Sequence, residues 1–169
     1  SIFWVIKNFI SNQNKVFFKL SSQNYPFQIL IFLITVQIII GAFVSGLDAG
    51  KIYQTWPMMG KSFLPNDLNI TNLTNILEFN NHSLVQFYHR NLAYLIVLYI
   101  LFLSWYILHK KIVTLYKSLK LLLFFIFLQA ILGILTLVSG LNIFLASAHQ
   151  ITSVLLVFSA INIYYLRAK

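Results

Sequence analysis

Two histidines, His89 and His149, each stand a few residues inside the same end of a long apolar segment that carries almost no other ionisable group. An imidazole is costly to bury in hydrocarbon, so an intramembrane histidine is a functional-site candidate whose partner must be named. Counted from Leu84 and Phe144, both lie about five residues deep, or ~7.5 Å at ~1.5 Å per residue. Across a bundle, two imidazoles at one depth can ligate a single planar iron from opposite faces, as the axial ligands of a haem do. A closed zinc or two-metal site would need further ligands, and the sequence has no third histidine, cysteine or acid at that depth. The competing reading makes each histidine a helix-to-helix hydrogen bonder worth about 1 kcal/mol. His82 and His109 have no partner at matching depth and read as solvated or interfacial groups.

The elements that must position this pair are membrane spans. Of 169 residues 59% are hydrophobic and 9% charged, and the apolar runs approach twenty residues, which makes the chain an all-α integral membrane protein. Four spans fit, at about 27–46, 84–107, 119–138 and 144–166. Twenty helical residues reach about 30 Å, the thickness of the bilayer core, whereas a helix buried in a water-soluble bundle would be shorter. Ser139-Gly140-Leu141-Asn142 forms the tight turn between the last two spans. The expected architecture is a four-helix bundle of two helix hairpins, over a domain at 25–169 preceded by an interfacial segment at 1–24.

Charge orients the bundle. Lys7, Lys15, Lys19, Lys110, Lys111, Lys117, Lys120, Arg167 and Lys169 share one side, which is nine of the twelve basic residues and should be the cytoplasm or matrix, with both termini. Lys51, Lys61 and Arg90 lie on the other side with all three acids, Asp48, Asp67 and Glu78. The net charge of +9 thus follows from topology and requires no nucleic acid, although such a surface suits anionic lipids of the bilayer.

Near the N-terminus, Ile2, Val5 or Ile6, and Phe9 recur at helical spacing, which suits a helix on the basic membrane surface. A cleaved targeting peptide is the competing reading, disfavoured by the absence of Arg there. The outer loop, 47–83, is expected to hold a short amphipathic helix with Ile70, Leu73, and Ile76 or Leu77 on one face and Asn69 as cap. The three glycosylation patterns that begin at Asn69, Asn72 and Asn81 arise readily by chance in an Asn-rich loop. The absence of cysteine excludes disulfides and thiolate sites within these residues. Heavy use of Ile, Asn, Lys, Phe and Tyr resembles the output of an AT-rich genome, such as an organellar one.

An internal repeat supports the histidine pair. The first span carries Gln37, then Gly41, and closes on Ser45-Gly46-Leu47; the third carries Gln129, then Gly133, and closes on Ser139-Gly140-Leu141. Each is followed by a span with a histidine near its outer end, so one hairpin is used twice, and membrane binding sites often sit at such repeat interfaces. The glutamines read as bridges between helices, and Gly41-x-x-x-Ser45 as a close packing face. Arg90, next to His89, could hold a haem propionate, because a forked guanidinium suits a carboxylate, or could snorkel to the interface. Asp48 could pair with Arg90 or Lys51, or cap the loop.

The run Gly41-Ala42-Phe43-Val44-Ser45-Gly46-Leu47-Asp48-Ala49-Gly50, followed by Tyr53, Thr55, Trp56-Pro57-Met58-Met59-Gly60 and Pro65, closely resembles haem A synthase. Val85-Gln86-Phe87-Tyr88-His89-Arg90-Asn91-Leu92-Ala93-Tyr94, Gln129-Ala130-Ile131-Leu132-Gly133-Ile134-Leu135-Thr136 and Ala148-His149-Gln150 are similar to the same family in the same order. That family oxidises the methyl group of haem O to the formyl group of haem A for cytochrome c oxidase, on an eight-helix membrane bundle of two related halves. The resemblance implies that His89 and His149 are axial ligands of a haem b, bis-histidine coordinated, in the C-terminal half. It also implies that the other half holds a second haem site, an acidic residue implicated in catalysis and, in many members, a cysteine pair.

Here the sequence departs from the family, with four spans, no match to the N-terminal half and no acid inside a span. Two function classes follow. One is the C-terminal half of a split haem A synthase, completed by a separate N-terminal-half chain that contributes to haem O oxidation. The other is a non-catalytic haem-binding or structural subunit of a respiratory membrane complex. The expected location is the mitochondrial inner membrane, with the bacterial plasma membrane as the alternative.

Overall fold

The computed structural model describes residues 2–67 and 78–168. The helix expected around Ile70, Leu73 and Ile76 or Leu77, with its Asn69 cap, lies outside the described residues. The helices are α1 (Ile2–Ile10), α2 (Tyr25–Gly46), α3 (His82–His109), α4 (Tyr116–Val138) and α5 (Ile143–Arg167), with single 3-10 turns at Ala49–Lys51 and Val113–Leu115. The last four are long and apolar enough to cross a membrane and begin and end within three residues of the expected spans.

Local chemistry sets the helix ends. Pro26 sits in the first turn of α2, where its missing N–H removes no helical hydrogen bond. Asparagines cap both histidine-bearing helices at their N-terminal ends: Asn81 accepts from Leu84 N–H at 3.0 Å, and Asn142 from Phe144 N–H at 3.0 Å. The α4–α5 turn needs two left-handed residues, Gly140 (φ 73°) and Leu141 (φ 64°); the first suits glycine and the second is unusual for leucine.

Helix α2 packs on α3, α4 on α5, α2 on α5 and α3 on α4, a ring that puts the histidine helices on a diagonal. The buried apolar cluster fills only the basic end of this ring. It takes Phe27, Leu30 and Ile34 from α2, Ile96 to Ile107 from α3, Leu119 and Leu122 from α4 and Leu156 to Tyr165 from α5. Toward the opposite end no described residue of α2 after Ile34, α4 after Leu122 or α5 before Leu156 is buried. Large apolar side chains such as Leu98, Phe124 and Phe127 face outward, which costs nothing in lipid, where association rests on close packing and hydrogen bonds.

Helix α1 is fastened to the end of α5 by a residue outside its expected apolar face. Trp4 is buried, 5.0 Å from the rings of Phe17, Tyr164 and Tyr165, and donates from Nε1 to Lys15 O at 2.8 Å. Ile2, Val5 and Phe9 remain exposed. The contact puts α1 and the end of α5 at the same end of the bundle.

Candidate functional site

Each histidine is held by a glutamine and a glycine one helical turn apart on the preceding helix. Gln37 Nε2 donates to the main-chain carbonyl of His89 at 3.0 Å, and Gln129 Nε2 donates to that of His149 at 3.0 Å. A helical carbonyl already accepts within its helix, so the amide uses its second lone pair. One turn on, the imidazole lies against glycine backbone. A Cβ built on Gly41 would stand 3.0 Å from His89 Cε1, and one on Gly133 would stand 3.0 Å from His149 Cε1. A side chain at either position would push the ring back by a few tenths of an ångström from the neighbouring helix.

The two copies differ in what completes them. Gln129 Oε1 accepts from Thr152 Oγ1 at 2.5 Å, whereas Gln37 Oε1 is buried without a partner. The Gln37 amide nitrogen lies 3.2 Å from His89 Nδ1 and 3.3 Å from Nε2, while His149 Nδ1 is buried without a hydrogen-bond partner. A buried imidazole nitrogen with no partner in the protein is an open acceptor or donor position that a ligand or water can take. Two imidazoles, one of them with an open ring nitrogen on His149, are donors of the kind that would hold a haem iron.

Arg90 points to the loop between α2 and α3. Its Nη1 donates to Thr55 O at 2.8 Å and Met58 O at 3.3 Å, and its Nη2 to Tyr53 O at 2.7 Å, which leaves Nε buried without a partner. Gln86 Nε2 donates to the same Tyr53 carbonyl at 2.9 Å, and Ser83 Oγ donates to Asp67 Oδ2 at 2.6 Å. Ser83, Gln86 and Arg90 stand at i, i+3 and i+7, so one face of α3 grips the loop that leaves α2. Tyr53 Oη donates to Asp67 Oδ1 at 2.7 Å and accepts from Asn66 N–H at 3.1 Å. The hydroxyls of Ser83 and Tyr53 hold the Asp67 carboxyl below its ordinary value; burial, then Asp67, raise the Tyr53 phenol. On the far side, Gly50 packs on Leu141 of the α4–α5 turn, so the loop reaches from one hairpin to the other.

The remaining candidates fall away from this centre. Asp48 pairs with Lys51 at 2.8 Å on the surface. His82 is exposed at the start of α3, and His109 stacks on Trp105 with ring centroids 5.2 Å apart. The sequence shows Gln37 and Gln129 as helix bridges, yet it does not name the histidine carbonyls as their targets. Ser83, Gln86 and Thr152 carry no sequence signal beyond the polar i, i+3, i+7 spacing of the first two with Arg90.

A family model described as cytochrome oxidase assembly protein matches residues 2–161. Similar proteins named Heme A synthase include those of Pelagibacter ubique, 44% identical over 79% of this chain and 39% of the relative, and of a Wolbachia of Brugia malayi, 41% identical over 76% and 36%. That of Rickettsia felis is 34% identical over 82% of this chain and 41% of its own length. The chain thus spans about two fifths of the length of the curated relatives it matches. No solved structure matches. A family match over nearly all of these residues agrees with the duplicated Gln, Gly and His framework, and the chain belongs to the haem A synthase family.

Proposed function

We propose that these helices form the haem-holding unit of a haem A synthase, with His89 and His149 as the axial ligands of one haem b. The observation that carries this reading is the duplicated framework: in each hairpin a glutamine holds the histidine carbonyl at 3.0 Å and a glycine makes room for the ring. Such backing limits the rotations open to each imidazole before a ligand arrives, which lowers the ordering cost of binding. A haem held there would supply one-electron transfer. Arg90 Nε, buried and unpartnered beside His89, is the donor available to a propionate while the two Nη atoms keep the loop in place.

The whole reaction proposed is oxidation of the haem O methyl group to the haem A formyl group for cytochrome c oxidase, in line with the names of the relatives. No acid lies within the four long helices, so the groups that oxidise haem O are assigned to a second helical unit outside these residues. The basic end of the bundle is assigned to the cytoplasm or matrix by its lysines. Bacterial relatives favour the plasma membrane, and the AT-rich residue usage favours the mitochondrial inner membrane; fractionation of the source cells separates the two.

The test is the absorption spectrum of the purified chain loaded with haem b. A low-spin bis-histidine spectrum is expected, and it should be lost in both His89→Ala and His149→Ala. An unchanged spectrum in either variant overturns the ligand assignment. Co-purification then tests the wider reading. A four-span partner with membrane histidines and an acid supports the enzyme, whereas stable residence in a respiratory complex without one supports a non-catalytic subunit.

A further inference from the structure

At the basic end of the bundle, α1, α4 and α5 enclose an open groove of about 550 Å³ whose rim carries Lys7, Lys117 and Lys120. We propose that this groove binds one anionic phospholipid, with its phosphate on the three ammonium groups and an acyl chain along Leu121 and Phe124.

The first observation is a missing counter-ion. The three acids of the sequence, Asp48, Asp67 and Glu78, all lie on the segment between α2 and α3, at the opposite end of the bundle. Among the described residues no ion pair or hydrogen bond satisfies the Nζ of Lys7, Lys117 or Lys120. Lys7 lies over the Tyr165 ring, 5.5 Å from its centroid, which fixes one ammonium at the edge of the groove. Three cations gathered in one concavity repel each other unless an anion arrives from outside the chain.

The second observation is the order of chemistry along the groove. Lys117, Lys120, Leu121 and Phe124 stand at i, i+3, i+4 and i+7 on α4, so one helix face runs from charge at the bundle end to exposed apolar surface nearer its middle. Asn162 Nδ2 donates to Ser118 Oγ at 2.9 Å, which ties α5 to α4 within the lining, and exposed Leu166, one turn nearer the end of α5, flanks the cationic half. A phosphate headgroup with an attached acyl chain has the same order of polarity. Free phosphate would use only the cationic half, and basic pockets between spans at the membrane surface suit anionic headgroups.

Native mass spectrometry of the full chain in detergent, with dioleoyl phosphatidylglycerol or dioleoyl phosphatidylcholine as probe, tests the proposal. Phosphatidylglycerol should be retained in preference to phosphatidylcholine. Each of Lys7→Gln, Lys117→Gln and Lys120→Gln should lower its retention about fivefold, since one basic side chain near a membrane surface contributes about 1 kcal/mol. Lys→Arg at the same positions should restore it, which separates charge from misfolding. Lys110→Gln with Lys111→Gln, basic residues outside the groove lining, should leave retention unchanged. Equal retention of the two lipids, an equal loss in the Lys110 and Lys111 variant, or displacement by millimolar inorganic phosphate would each overturn the proposal.

Discussion

In hairpin α2–α3 and hairpin α4–α5 the same two residue types, glutamine and glycine, hold a histidine at the same distances, yet the surroundings of the two histidines diverge. Gln37 and Gln129 each reach a histidine carbonyl at 3.0 Å, and Gly41 and Gly133 each back a ring at 3.0 Å. Around that shared core, Thr152 satisfies Gln129, but Leu92 stands at the same offset from His89 and leaves Gln37 Oε1 without a partner. Arg90 follows His89 and grips a long loop, whereas Gln150 follows His149 and is exposed above a short turn. The duplicated parts are those that touch the histidine carbonyl and the Cε1 edge of the ring; the divergent parts are the partners of the glutamine oxygens and ring nitrogens and the loop that closes this end.

The largest expected effect breaks the shared core. Gly41→Val and Gly133→Val should each lower haem retention about 10- to 100-fold, because overpacking of this kind costs about 1–3 kcal/mol, read by haem titration of the purified chain. The comparison fails if one glycine matters and the other does not. Next, Arg90→Ala should raise protease cleavage within 49–67 about tenfold, since it removes charge-assisted hydrogen bonds, while Gln150→Ala should leave cleavage unchanged. Arg90→Lys should not restore protection, because one ammonium lacks the fork that reaches the three carbonyls of Tyr53, Thr55 and Met58.

A smaller difference sharpens the contrast between the glutamines. Gln129→Ala should destabilise the chain more than Gln37→Ala by about 1 kcal/mol, the magnitude of one interhelical hydrogen bond, in denaturation midpoints measured in detergent. Thr152→Val should remove most of that difference. The smallest effect concerns pH. The Asp67 carboxyl is held below its ordinary value of 3.8, chiefly by Ser83 and then Tyr53, so its contribution to loop attachment is complete above that value. It is lost as pH falls through the lowered folded value, when the unfolded carboxyl is already protonated. Loop cleavage by an acid-active protease should therefore rise a few-fold below about pH 4, and Asp67→Asn should abolish the pH dependence.

Hydropathy and residue spacing are local properties, and they alone determined the four spans to within three residues and the repeat of Gln, Gly and His. Their physical basis is transfer from water to lipid, which each segment undergoes largely on its own. What a side chain meets depends instead on helix rotation and loop path, and these the sequence leaves open. Gln37 and the His89 carbonyl are 52 residues apart, and only the packing of α2 on α3 turns the amide toward that oxygen. Arg90 reads equally well as a propionate ligand or a snorkelling cation until the loop carbonyls arrive at its fork. Trp4 stands off the apolar face read from the spacing, and only the docking of α1 on α5 makes it an anchor. Tertiary structure decided these partners because several donors and acceptors lie at each depth, and hydrogen bonding selects among them only when the helices are packed together.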